Sequence, residues 1–316
     1  MRAIAIDAYG ETPTLRDLPT PEPAAGEIRL RMHAAGVNPM DWRVRDGAPA
    51  QFGQTARFPL ILGLEGAGVV DALGEGVGGY ERGEAVFGLF WPQVFEYGTF
   101  ADYLIVPADA RMARKPEGLS FEQAAVLPLA GGAAVFVQEW LDIKPGETLL
   151  VVGATGGVGS YIVQLAKMRG ARVLATSTAA DAAYIKGLGA DDTIDFERED
   201  VVEAASRLAP GVNAVLDLVS SPEQFANISN IVGSGGRVAS LINGADVEAL
   251  AARGVRAENI LTHPVGEHFD QLGHLVEQGK LAVPIEHVLP LEDAVSALAI
   301  CEAAKGRGKI VLSVQA

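Results

Sequence analysis

The sequence predicts an α/β protein in which a β-rich part precedes a parallel, doubly wound sheet. Over residues 1 to about 115, short apolar runs (RAIAID, EIRLRMHAAGV, LEGAGVVDALG, AVFGLF, ADYLIVP) alternate with Gly- and Pro-rich turns, the signature of short strands. Beyond residue 120, strand-like runs alternate with helices of about 10–15 residues, which implies parallel strands joined by crossovers. A length of 316 residues suits two domains of about 150 residues each.

The elements are read in order. The stretch TPEPAAGE at 20–27 is a linking turn. Ser120 and Gln123 have the spacing of a capping box, in which each side chain satisfies the other residue's backbone amide. The run AAVLPLAGGAAVFVQEWL is then helical, interrupted at Pro128 and at Gly131–Gly132. Residues 148–152 form a wholly apolar strand. Residues 158–167 form a helix with Ile162, Leu165 and Ala166 on one face, 172–175 a strand, and 180–187 a helix. Later strands are expected at 192–195, 214–217 and 237–241. The tail reads as a helix (269–278), a strand (283–290), a helix (291–305) and a last strand (309–314), and is expected to return to the first domain. The expected division is 1–119, 120–263 and 264–316.

Composition excludes several classes of function. A net charge of −15 repels nucleic acid phosphates and anionic lipid, so neither is expected as a partner. The lone Cys301 rules out an intrachain disulfide and a cysteine-based metal site. The start MRAIAIDAYG has no apolar run behind a basic segment, and no uncharged apolar stretch of about 18 residues occurs, so a cytoplasmic location is expected. Asn227-Ile228-Ser229 fits a glycosylation sequon by chance.

The sharpest local signal is TLLVVGATGGVGSYIVQLAK. A buried strand runs into Gly153, Ala154, Thr155, Gly156, Gly157, Val158 and Gly159, then into a helix. Glycines there permit a tight turn and close approach of a pyrophosphate, while the helix start offers free N–H groups and partial positive charge. No Lys-Ser/Thr pair follows, which disfavours a nucleotide-hydrolysing P-loop. About twenty residues on, where a carboxylate would bind the ribose diol of NAD, the chain has Thr176, Ser177 and Thr178. With three hydroxyls and no acid at the strand end, NADPH is expected over NADH. The competing reading is that these hydroxyls only cap the next helix.

AAGVNPMDWRVRDG, GLEGAGVVDALGEGV, GTFADYLIVPA, the glycine loop and the ending PLEDAVSALAICEAAKGRGKIVLSV occur in an order that resembles the medium-chain dehydrogenase/reductase superfamily. The resemblance spans the whole chain. It implies a GroES-like β domain, completed by the C-terminal tail, with a Rossmann dinucleotide domain inserted. Zinc-dependent members carry a Cys where this chain has Asn38 and a His where it has Leu64, just before Glu65. A structural zinc lobe of four cysteines has no counterpart. The histidines His33, His263, His268, His274 and His287 have no ligand spacing; His263 and His268 read as loop residues and His274 as a helix residue. The metal-free quinone oxidoreductase branch fits best. Two departures concern cofactor contacts. Ala133 replaces a Thr that binds the nicotinamide amide in relatives, and Asp181 replaces a Lys that some relatives use on the 2′-phosphate.

The expected chemistry is hydride transfer from NADPH to a quinone or an enone, which needs positioning and oxyanion stabilisation but no Lewis acid. By the resemblance, Asn38 faces the nicotinamide and a substrate oxygen, although an Asn before Pro39 also suits a plain turn. Asp41 and Glu65 are expected to hold loops by hydrogen bonds. The run GLFWPQVFEYGTF is rich in aromatics. Phe90, Trp91, Phe95, Tyr97 and Phe100, with Trp42, are candidates to wall a pocket for a flat acceptor, or else to serve as core or dimer contacts. Tyr97 is the candidate proton donor, with solvent as the alternative. Tyr184 matches a Tyr near the 2′-phosphate or adenine in relatives, or is surface filler. Two other readings stand: an enoyl reductase of a biosynthetic pathway, and a non-catalytic NADPH-binding sensor or assembly protein. A homodimer is expected, formed through the last strand of the parallel sheet near residues 236–242.

Overall fold

The computed structural model describes residues 1–51, 53–209, 211–304 and 306–315. Contacts divide the chain into two compact units: Met1–Leu129 with Val265–Ala316, and Ala130–Pro264.

The first unit begins with β1 (Arg2–Ile6), β2 (Thr14–Asp17), β3 (Glu27–Val37), α1 (Pro39–Arg45), α2 (Ala48–Gln51), β4 (Thr55–Ala56) and β5 (Leu60–Ile61). It continues with β6 (Glu65–Leu73), β7 (Ala85–Leu89), β8 (Val94–Phe95), β9 (Tyr103–Pro107), β10 (Arg111–Arg114) and α3 (Phe121–Ala125). In β3, Ile28, Leu30, Met32 and Ala34 alternate inward, so the apolar period of two fixes the register against β6. The capping box forms as its spacing suggests: the Gln123 amide donates to Ser120 Oγ at 3.1 Å, and the Ser120 amide donates to Gln123 Oε1 at 3.0 Å. The unit runs past residue 119 to Leu129 because α3 packs on β3 and β6 and buries Ala124 to Leu127. A π-helical turn, Leu127–Gly131, follows and contains Pro128.

The second unit holds α4 (Gly132–Leu141), β11 (Thr148–Val152), α5 (Gly157–Met168), β12 (Arg172–Ser177), α6 (Ala182–Gly187), β13 (Asp192–Asp195) and α7 (Val201–Leu208). It ends with β14 (Val212–Asp217), α8 (Pro222–Ile228), β15 (Val232–Ser240), α9 (Val247–Ala252) and β16 (Arg256–Asn259). All six strands are parallel, in the order β13-β12-β11-β14-β15-β16. The core of this sheet packs Leu150, Leu174, Ile194, Val215, Phe225 and Val238, each essentially excluded from solvent. Burying such a side chain stabilises the fold by about 1.5–3 kcal/mol. β15 was expected to present the free edge. It instead lies between β14 and β16, and the outer strand is β16.

The chain then returns to the first unit with α10 (Gly266–Glu277), β17 (Ile285–Pro290), α11 (Ala294–Glu302) and β18 (Lys309–Ser313). β18 pairs antiparallel with the end of β3, Ile310 opposite Val37, so the GroES-like sheet contains a strand from each end of the sequence. His268, expected in a loop, sits in the first turn of α10. Residues 291–293 form a 3-10 turn before α11, and the expected helix end at Lys305 lies outside the described residues.

Candidate functional site

In the second unit the sheet order reverses between β11 and β14, and the glycine turn lies at that reversal, at the C-terminal end of β11. A ligand crevice is expected at such a switch point. Gly153 has φ +84°, a left-handed conformation that favours glycine, and a Cβ there would meet Val219 Cγ1 at 2.8 Å. A Cβ at Gly159 would meet Ala154 Cα at 2.6 Å, so glycine lets α5 start flush against the turn. Gly156 differs: the nearest atom to a Cβ there is Gly153 O at 3.7 Å, an ordinary van der Waals contact, so nothing crowds that position. Gly156 is also the N-cap of α5, and no side chain caps the helix. A helix start with no side-chain cap and an uncrowded glycine at its head is a receptor for an anion such as a pyrophosphate. The residues present therefore fit a dinucleotide.

Asp217 supports the other side of the crevice. This buried carboxylate ends β14 and accepts hydrogen bonds from the Ser220 amide at 3.0 Å, the Val219 amide at 3.3 Å and Ser240 Oγ at 3.3 Å. Val219 is thereby held over Gly153 while 65% exposed. Sequence reasoning passed over Asp217, although a single acid closing an apolar strand is a signal.

Of the three hydroxyls expected at a 2′-phosphate, those of Thr176 and Thr178 hydrogen-bond within the fold, while that of Ser177 is buried without a partner among the described residues. Thr176 Oγ1 accepts the Gly153 amide at 2.9 Å, Ser177 is buried, and Thr178 Oγ1 donates to Asp181 Oδ2 at 2.8 Å. Thr176 thus holds the turn as an acceptor, and Thr178 spends its proton on the carboxylate at the start of α6. Tyr184 is half-buried on α6.

In the first unit, Asn38 is not presented to a substrate. It is 1% exposed; its Nδ2 donates to Glu65 Oε1 at 2.8 Å, and its Oδ1 accepts from Lys309 Nζ. Both ends of the amide are committed. Lys309 Nζ lies 2.9 Å from Glu65 Oε1, and Glu65 Oε2 accepts the Leu129 amide at 2.8 Å. Gly36 lies against that carboxylate, where a Cβ would collide with it. Asp41, fully buried, accepts the Asn38 amide at 2.7 Å, and burial pushes its carboxyl up to about 8, with Glu65 adding to the rise and Lys309 opposing it. Burial thus favours the protonated form of Asp41, so that no second charge is added beside the buried Lys309–Glu65 pair. Lys309 is the member that sequence reasoning missed. Its signal was a lone Lys at the head of an otherwise apolar strand.

Leu64 is a buried aliphatic side chain. Among the described residues no three His, Cys, Asp or Glu gather as a metal-holding group. His33 stacks on Phe121 with centroids 4.0 Å apart.

Of the aromatic run, Phe90, Phe95 and Phe100 are core residues, while Trp91 is half-buried and meets Phe95 edge-on at 5.4 Å. β8 pairs with β4, which ties the run to the α1–α2 excursion that carries Trp42. Trp42 is half-buried under the Arg43 guanidinium, 5.4 Å from its ring centre. Tyr97 is placed elsewhere. It packs with Met1 and Leu18 on the Ala3, Ala5, Ile61 and Ala101 cluster, and burial beside Glu96 raises its phenol above the usual range.

A β unit completed by the C-terminal strand, with a glycine-turn parallel sheet in the middle of the chain, defines a two-unit dehydrogenase/reductase architecture. Residues 24–117 match the alcohol dehydrogenase GroES-like domain and residues 188–312 match a zinc-binding dehydrogenase model. The chain is similar to the 2-methylene-furan-3-one reductase of Solanum lycopersicum, 30% identical over 99% of this chain and 79% of that protein. It superposes on a quinone oxidoreductase from Coxiella burnetii with TM-score 0.90 and 31% identity, covering 100% and 99% of the two chains. It also superposes on an Escherichia coli quinone oxidoreductase complexed with NADPH, with TM-score 0.87 and 26% identity, covering 99% and 100%. The chain belongs to the quinone oxidoreductase branch of the medium-chain dehydrogenase/reductase superfamily, and it is an oxidoreductase.

Proposed function

We propose that this protein is a metal-independent reductase that passes a hydride from a reduced nicotinamide dinucleotide to a quinone or an enone. The observation that carries the reading is the uncapped start of α5 beside the uncrowded Gly156. When bound, the cofactor supplies the hydride. Gly157, Val158 and Gly159, on the first turn of α5, offer amides to its pyrophosphate, and Thr176 holds the turn in shape through the Gly153 amide. Trp91, backed by Phe95, offers a flat apolar wall for the acceptor, and Trp42 another.

Metal independence is supported by the Asn38 site. Its amide is spent on Glu65 and Lys309, Leu64 has no donor, and the Lys309 ammonium already supplies the local positive charge that would repel a second cation. The reduced acceptor takes its proton from solvent, since Tyr97 packs in a separate cluster. The NADPH seen with the Escherichia coli relative supports a nicotinamide dinucleotide at this turn. The enoyl reductase reading uses the same hydride chemistry, and the tomato relative's reductase name favours including enones. We further infer a homodimer formed through the open edge of β16 rather than β15. Oxidation of reduced nicotinamide, followed at 340 nm with quinones and enones, tests the reaction. Turnover is expected to survive exhaustive chelation and the Tyr97→Phe change. Turnover that requires stoichiometric zinc, or no oxidation with any acceptor despite tight cofactor binding, contradicts it.

A further inference from the structure

We propose that the dinucleotide taken by this chain is the form without a 2′-phosphate, and that Asp181 is the residue that selects it. This rests on the reading that the Gly153–Gly159 turn seats the pyrophosphate. From such a turn the adenosine ribose is directed toward the end of the neighbouring strand, here β12. Thr176, in the last turn of that strand's path, fixes the relation: its hydroxyl accepts the Gly153 amide at 2.9 Å, so the end of β12 and the glycine turn form one hydrogen-bonded assembly.

The groups framing that end carry the argument. Asp181 Oδ2 is fixed by the Thr178 hydroxyl at 2.8 Å, which places a carboxylate directly before α6 and uses the hydroxyl's proton. Across the sheet, Ser177 pairs in register with Asp195, so a second acid ends the adjacent strand. The next residue, Phe196, is 52% exposed, a phenyl ring where a phosphate would need a donor. The nearby guanidinium of Arg198 is directed to Asp195 Oδ2 at 3.7 Å. The hydroxyl of Ser177 is buried and has no hydrogen-bond partner among the described residues.

A phosphate monoester carries about −1.5 to −2 charges at pH 7 and is held by cations and donors. At this strand end it would face two carboxylates and an aromatic ring. A ribose 2′,3′-diol has the opposite need: its hydroxyls donate, and a carboxylate is the acceptor that fits them. The same frame therefore admits NADH and repels NADPH. This reverses the preference expected from the sequence, because carboxylates frame the strand end and the Thr178 proton is already given to one of them.

Calorimetric titration of the full-length protein with NADH and with NADPH reads the selection without any turnover. The wild type is expected to bind NADH at least tenfold more tightly than NADPH, a difference of about 1.4 kcal/mol. Asp181→Asn is expected to shrink the ratio below threefold, and Asp181→Lys to invert it. Equal or tighter NADPH binding by the wild type overturns the selection, as does a ratio that neither variant changes. If those affinities nonetheless vanish in Gly156→Asp, the glycine-turn reading stands and only the selection fails. No saturable binding of either dinucleotide overturns both.

Discussion

Among single side chains, Asp41 has the clearest consequence for pH. Its carboxyl is fully buried and raised to about 8 from an ordinary value of 3.8, so the folded protein binds this proton more tightly than the unfolded chain does. Its contribution to stability is full below about pH 4 and is lost as pH rises toward 8. Asp41→Asn keeps an acceptor for the Asn38 amide and cannot ionise. Between pH 5 and pH 8.5 wild type loses about 4 kcal/mol from this group, so the variant's thermal midpoint relative to wild type is expected to rise by about 5–10 °C over that interval, a change that scanning calorimetry at the two pH values measures; a constant offset contradicts it. The cluster also shows how far residues can be read in advance. Asp41 and Glu65 announce a structural role through polar side chains set in apolar, glycine-rich runs. Lys309 joins them by reaching Asn38, 271 positions away along the chain. Only the pairing of β18 with β3 makes that contact, and no local pattern encodes it. Asn38 misled for the same reason: its place in the motif was legible, but the partners that consume its amide were not.

At the level of elements, the glycine turn separates folding from binding. Gly156→Ala adds a methyl with no contact closer than 3.7 Å, so the thermal midpoint is expected to change by less than about 2 °C while dinucleotide affinity falls roughly tenfold or more, as the methyl occupies the phosphate's approach. Gly159→Ala drives its methyl into Ala154 and is expected to lower both. Equal affinity in wild type and Gly156→Ala would place the phosphates elsewhere. The edge of the parallel sheet gives a second expectation. β16 is the outer strand and Leu261, just beyond it, is 69% exposed, so light scattering is expected to report a dimer that Leu261→Arg shifts toward monomer. A wild-type monomer at micromolar concentration contradicts this. Element type was readable because apolar periods of two and near four are local, as in β3 and α5. The order of strands was not, which is why β15 was expected at the edge. Strand order depends on which crossover lands where, and residues 237–241 are as apolar as an edge or an interior strand.

For the whole molecule, the return of the tail is the feature that organises function. Residues 265–316 close the first unit, and through them Lys309 reaches Glu65 and Asn38 in the buried cluster. The platform proposed for the dinucleotide lies within the second unit, its turn, Asp217 loop and α5 start all contributed by residues 130–264. Backbone amide exchange at Gly157, Val158 and Gly159, followed by NMR as NADH is added, interrogates that platform most directly. The account expects these three amides to become protected in proportion to saturation. Saturable binding that leaves them exchanging as before, with protection elsewhere, would contradict it.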